Sequence, residues 1–247
     1  ARGRAPRNAP HTGFERLSAG RMVVLVDTGC AVPGLDQTAC AGTLSFEASV
    51  GRDRLIVNCG AATKGDSQWQ RACRTTAAHS TAQLDNRNSS EIRDDSAIGR
   101  RPSSVLCNRD DEGGNSFLSM SHDGYLATLS TIHKRQLYLT ADGEELRGED
   151  IFTGPAGHPF TIRFHLHPRV QASLSENSQQ TLLRLPGGSG WRLRAETGHM
   201  RLEESIYLET PNRPRRSQQV VVKGVTENEA TVVKWELQRH DQSSIRD

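Results

Sequence analysis

The sequence has no run approaching the roughly 18 consecutive apolar residues that a membrane helix needs, and residues 1–10 (ARGRAPRNAP) lack the apolar core of a signal peptide. Aromatic residues make up only 5%, and 31 basic residues stand against 29 acidic ones for a net charge of +2. Without an overall field or interleaved aromatics, nucleic-acid binding is not supported, and anion binding falls to local arginines. Five cysteines (Cys30, Cys40, Cys59, Cys73, Cys107) are an odd number without repeated spacing, which argues against a disulfide framework and leaves at least one thiol free or metal-bound. No G-x-S-x-G elbow occurs and no Asp/Glu pair is singled out by spacing, so a free-standing hydrolase has no motif here.

What is present is strand-like. A mean hydropathy of -0.61, with 22 glycines and 10 prolines punctuating short apolar runs, fits exposed strand faces and turns. Met22 to Asp27 (MVVLVD) is a continuous apolar run, Thr43 to Val50 alternates, and Gly51-Arg52-Asp53 turns into Leu55 to Asn58, predicting a hairpin over 43–59. Residues 86–115 are polar and charged and are expected to be a long surface loop. Strands are expected at Tyr125 to Leu139, Phe160 to Val170, Thr181 to Leu185, Trp191 to Ala195, Ser205 to Leu208, Gln219 to Val225 and Ala230 to Leu237. The only helix signal is a turn near Ser67 to Thr75. The expected fold is all-β, a two-layered antiparallel sandwich spanning 21–237, with a lead-in at 1–20 and a polar tail at 238–247. Because the first residue is not Met and the first apolar run already reads as a strand, the chain is expected to be a fragment or a processed product.

The segment Thr38 to Thr81 is the most informative. It holds Leu44 to Glu47 (LSFE), Gly60 after the next strand, Arg74, and Ala78-His79-Ser80-Thr81. In order around it come Gly13-Phe14-x-Arg16-Leu17, His122-Asp123-Gly124-Tyr125, His133 to Leu139 (HKRQLYL), Gly148-Glu149-Asp150 and Arg163 to Pro168 (RFHLHP). This ordered set resembles the C-terminal β-sheet domain of the heparinase II/III-type polysaccharide lyases and covers nearly the whole chain.

The resemblance implies a lyase that breaks uronic-acid glycans by β-elimination, with an acidic polysaccharide as substrate and an upstream α/α toroid supplying an Asn and a Tyr. It implies His79 as a catalytic residue, able to act as base, hydrogen-bond donor or metal ligand, against the plainer reading of a structural His under the sheet. Arg74 could pair a uronate or sulfate or could brace the sheet, and His122 and Tyr125, at an Asp-Gly turn, are candidates to touch substrate. Some family members bind zinc in this domain. The matching positions here are Cys40, Asn58 and His79, and they depart from the family's His, Asp and His, as does Thr38 where others carry a further His. The zinc site is therefore either rebuilt around Cys40 or lost. His165 and His167, at i and i+2, share a strand face, a spacing that can bind metal, and are expected instead to point to solvent or an interface. Arg100-Arg101 and Arg213 to Arg216 (RPRR) could meet anionic glycan or be plain solvated surface. The alternative to a lyase part is a non-catalytic glycan-binding or scaffolding domain that kept the fold. The compartment, periplasm or cytoplasm of a bacterium, stays open.

Overall fold

The computed structural model describes residues 6–9, 11–30, 38–62, 67–95, 97–210 and 213–240. In chain order its elements are β1 (Asn8–Ala9), β2 (Phe14–Ala19), β3 (Met22–Asp27), β4 (Phe46–Val50), β5 (Asp53–Val57), α1 (Ser67–Arg74), a 3-10 turn at Thr76–Ala78, β6 (Ala82–Leu84), β7 (Val105–Glu112), β8 (Asn115–His122), α2 (Leu126–Leu129), β9 (Ile132–Leu139), β10 (Glu145–Thr153), β11 (Pro159–Leu166), β12 (Gln171–Leu174), β13 (Gln180–Arg184), β14 (Gly190–Ala195), β15 (His199–Tyr207), β16 (Arg215–Val225) and β17 (Ala230–Arg239). They form two antiparallel sheets. One runs β1-β2-β3-β4-β5-β11-β16-β15 with β6 also paired to β11, and the other runs β12-β13-β14-β17-β10-β9-β8-β7. The expected sandwich is what forms.

The inward faces meet in one core. Phe46 of β4 stacks on Trp235 of β17 at 5.6 Å between ring centroids, and Phe164 of β11 meets the same indole edge-on at 4.9 Å, so three rings join the two sheets. The expected hairpin over 43–59 is β4 and β5, with Gly51 at φ +64° in the turn, a conformation that favours glycine.

Several boundaries move. The lead-in 1–20 contains β2, and Gln238 and Arg239 of the expected tail belong to β17, while 1–5, 10 and 241–247 lie outside the described residues. The expected loop 86–115 ends in strand: β7 and the first residue of β8 lie within it. β7 (VLCNRDDE) is the edge of its sheet, and edge strands carry charge that discourages further pairing, so its polarity marks an edge rather than a loop. Tyr125 to Leu129 is a tyrosine followed by a short helix, and the strand begins only at Ile132. β10 gave no strand signal because its inward positions include Gly148 and Asp150 beside Leu146 and Phe152. A Cβ at Gly148 would lie 2.1 Å from Trp235 Cζ2, so the absent side chain makes room for the indole.

One irregularity positions the site. β11 pairs β6 over Phe160–Ile162 but β5 only at His165 and Leu166. Between them Arg163 N donates to Thr81 O at 3.0 Å and His165 N to Ser80 Oγ at 2.9 Å. The segment 79–81 thus threads a split in the sheet.

Candidate functional site

Three pieces of chain converge at that split: residues 39–45, the turn 75–81, and the end of β5. Ser80 N donates to Asn58 Oδ1 at 2.8 Å, Ser80 Oγ donates to Val57 O at 2.8 Å, and Thr81 Oγ1 donates to Thr43 O at 3.1 Å. Thr76 Oγ1 and Ser89 Oγ both donate to Ala41 O, at 2.7 and 3.1 Å. The polar residues of this stretch are therefore occupied holding irregular backbone that no sheet ladder satisfies.

His79 lies among them with 9% of its surface exposed. Its Nδ1 is 2.7 Å from Thr75 O, and since a carbonyl only accepts, Nδ1 carries the proton. Burial lowers the His79 pKa, with the Thr75 bond pulling the other way, so the ring is neutral and Nε2 keeps its lone pair. Gly42 lies against this ring: a Cβ there would be 2.5 Å from His79 Cδ2 and 2.9 Å from Nε2.

Arg74 is 8% exposed, and its Nε donates to Ala39 O at 2.7 Å while its own carbonyl accepts from Ala41 N at 2.8 Å. It braces the 39–41 segment against α1, the second of the two roles expected for it. His122 and Tyr125 are not at a loop tip: their exposures are 2% and 0%, and Tyr125 OH donates to Ala82 O at 3.1 Å. Side chains so enclosed do not reach a sugar, which corrects the expectation of substrate contact. His165 and His167 are likewise buried, at 2% and 7%, rather than turned to solvent. His165 Nε2 donates to Ala77 O at 3.0 Å, leaving Nδ1 to accept from Ser205 Oγ at 2.8 Å, and burial pulls its pKa down to about 3. Arg100 points its guanidinium at the carbonyls of Asn88, Ser89 and Gly124 and is committed to backbone.

The three zinc positions do not fit the metal. Asn58 has no charge and its Oδ1 accepts from Ser80 N. The Cys40 residue keeps exposed surface, and its thiol is pushed up to about 11, by burial first and against the pull of the Arg74 charge. Among the described residues no group of three or more His, Cys, Asp or Glu is arranged to hold a metal ion.

Beneath the site lies a buried chain of polar side chains, of which only His122 was singled out from the sequence, as a substrate contact. Gly124 N donates to His122 Nδ1 (3.0 Å), so the His122 proton sits on Nε2 and points to His133 Nδ1 (3.1 Å). The His133 proton then sits on Nε2 and points to Asp150 Oδ1 (2.7 Å). Arg135 grips both oxygens of Asp150, Nε to Oδ1 at 2.8 Å and Nη2 to Oδ2 at 3.0 Å, and Trp235 Nε1 donates to Oδ2 at 3.0 Å. Burial alone would raise the Asp150 pKa, but the Arg135 charge and the His133 hydrogen bond outweigh it and hold the carboxyl well below its usual range. Arg135 Nη1 reaches across to Leu44 O at 2.9 Å and Ser80 O at 3.0 Å, next to His79. One sheet's buried ion pair thereby fixes the other sheet's site loop. The motif pieces around His122, His133 and Asp150 were visible in the sequence, but their joining was not.

A family model described as Heparinase II/III-like, C-terminal, matches residues 1–236. The curated FtsZ-localized protein C of Caulobacter vibrioides is 30% identical, in an alignment covering 93% of this chain and 42% of that protein. Among solved structures, heparan sulfate lyase HepC from Pedobacter heparinus superposes with a TM-score of 0.78 at 15% identity, covering 96% of this chain and 36% of the lyase. A heparinase III superposes with a TM-score of 0.77 at 11% identity, over 94% of this chain and 36% of that enzyme. The chain thus spans about two fifths of the curated relative (42%) and just over a third of the lyases (36%), and at these identities the lyases share its fold.

Proposed function

The chain belongs to the heparinase II/III-like family as its C-terminal domain, and from that premise we propose that it forms one wall of the cleft of a lyase cleaving uronic-acid glycans by β-elimination. The observation that carries this reading is the state of His79: a neutral imidazole whose proton is parked on Nδ1 against Thr75 O. Elimination needs a base for the C5 proton of the uronate and a proton for the leaving oxygen. Nε2 of His79 can take the first proton and then, as Nε2–H, return one to a neighbouring oxygen, while Thr75 O stabilises the imidazolium formed in between. The groups that neutralise the uronate carboxylate come, in this reading, from an upstream toroid, since Arg74 is occupied as a brace.

The test uses the parent protein with its upstream region, wild type beside His79→Ala, on a panel of uronic-acid polysaccharides, following the ultraviolet absorbance of the unsaturated product. Loss of that signal in a variant that unfolds like wild type supports the reading. Absence of signal from folded wild type on every substrate would sink it.

A second reading, a scaffolding domain that kept the fold without the chemistry, is favoured by one observation. The relative at 30% identity is named for localisation with FtsZ, whereas the lyases stand at 11–18%. In this reading His79 is only a buttress of the 75–81 turn, and His79→Ala changes stability and nothing else.

A further inference from the structure

At the Val50 end of β4, away from His79, four arginines line a pocket of about 250 Å³: Arg52, Arg54, Arg169 and Arg215, with His167 in the wall. Two carboxylates face them, and both are engaged. Asp53 Oδ2 accepts from Gly187 N at 3.0 Å, and Glu209 lies 3.5 Å from Arg215. The pocket is thus net positive on a chain that is nearly neutral overall. His167 supplies directed chemistry. Its ring is held edge-on against Tyr207 at 5.2 Å, the hydroxyl of Tyr207 accepts from Arg54, and Nδ1 accepts from Arg169 N at 3.3 Å. In the neutral ring that puts the proton on Nε2, which has no hydrogen-bond partner among the described residues and is not an enclosed atom. The groups facing this ring are Arg54, Arg169, Arg215 and Glu209, and burial followed by the three guanidinium charges depresses its pKa against the pull of Glu209.

We propose that this pocket is an oxyanion site that takes a sulfate or carboxylate group, held by the fan of guanidinium groups and by the Nε2–H of His167. Guanidinium forks match the paired oxygens of such groups, and the volume, below the roughly 300 Å³ where drug-sized ligand pockets begin, suits one anionic substituent rather than a whole ligand. Phe46, at the other end of β4, is hydrogen-bonded to Ser80 beside His79, so the two ends are separated by about 13 Å of strand. The pocket is therefore not part of the His79 wall but a separate hold, and an acidic polymer would meet it as a second point of attachment. Of the RPRR run, Arg215 lines the pocket.

The choice of a glycan as the carrier of the anion rests on the proposed function, and the pocket itself does not. Imidazole resonances of His167 are followed through a pH titration in sodium sulfate and in sodium chloride at equal ionic strength, in wild type and in Arg169→Glu/Arg215→Glu. An anion bound beside the ring favours its charged form, so sulfate should raise the His167 pKa by about one unit in wild type and leave the double variant unmoved. A sulfated oligosaccharide that reproduces the shift at lower concentration identifies a polymer-borne anion, and a response to sulfate alone identifies a free inorganic oxyanion. Both outcomes uphold the site. Equal behaviour in the two salts, or an equal sulfate response in the double variant with its fold intact, overturns it. A His167 response in a protein without lyase turnover would leave the site standing and remove the lyase reading, and turnover without the response would do the reverse.

Discussion

Gly42 and His79 are in contact so close that no other residue fits at position 42 without moving the ring: an added Cβ would sit 2.5 Å from His79 Cδ2. The imidazole is thus pinned on one side by backbone and on the other by its bond to Thr75 O.

Gly42→Ala should displace the ring of His79 at a cost of about 1–3 kcal/mol in stability from overpacking. If His79 is the base, turnover by the parent enzyme should fall about a hundredfold, as it does when a reacting group is misplaced by an ångström. Urea unfolding gives the first number and steady-state kinetics the second, and a stable variant with wild-type turnover would remove His79 from the chemistry.

Asp150→Asn should destabilise the domain by about 3–5 kcal/mol, because Arg135 stays buried with its charge uncompensated. Replacing both partners by apolar residues of similar size, Arg135→Met with Asp150→Leu, should cost less than the single change. Chemical denaturation of the two variants decides it, and equal losses would mean that the arginine's bonds to Leu44 O and Ser80 O matter more than its charge.

Stability should fall continuously as the solution is acidified below about pH 6.5, and more steeply below about pH 4. His79, His122, His133 and His165 all have lowered pKa values, burial being the largest cause for each. Their unfolded forms take up protons near 6.5 while the folded forms resist, so the unfolded state binds more protons and stability declines as pH drops through that value. Asp150, whose folded pKa is depressed, contributes stability that is fully present above its unfolded value of 3.8 and declines as pH falls from there through its folded value. Urea midpoints measured from pH 8 to pH 3 should show both declines, and a midpoint flat between pH 7 and pH 5 would show that the histidines protonate in place.

Zinc should not raise the melting temperature, and Cys40→Ser should change stability by less than about 0.5 kcal/mol. Metal analysis of the purified protein provides the check, since near-stoichiometric zinc lost with Cys40→Ser would mean that the site is rebuilt around the thiol.

The sequence made the sandwich legible where strands carry an unbroken apolar inward row. MVVLVD, the 43–59 hairpin and the 230–237 strand need only their own side chains to be recognised, because their inward positions are apolar. β10 escaped because its inward row carries Gly148 and Asp150, and β7 escaped because edge strands are charged. His79 was found through the motif around it, whereas the brace formed by Arg74 depends on which carbonyl comes within 2.7 Å and has no signature along the chain.

By itself the sequence determined the all-β architecture, the family resemblance and the importance of the 38–81 segment, because each follows from local pattern and residue order. Only the tertiary structure decided which polar residues are free to do chemistry. His122, Tyr125, His165 and Asn58 have the composition of a functional site, yet the folded chain encloses them or occupies them with hydrogen bonds to their neighbours. The four arginines around His167 are separated by up to 163 positions in the sequence and become one site only when the strand ends meet. A side chain's chemistry is set by the partners and the dielectric that folding gives it, and those are properties of the packed sheets rather than of any segment.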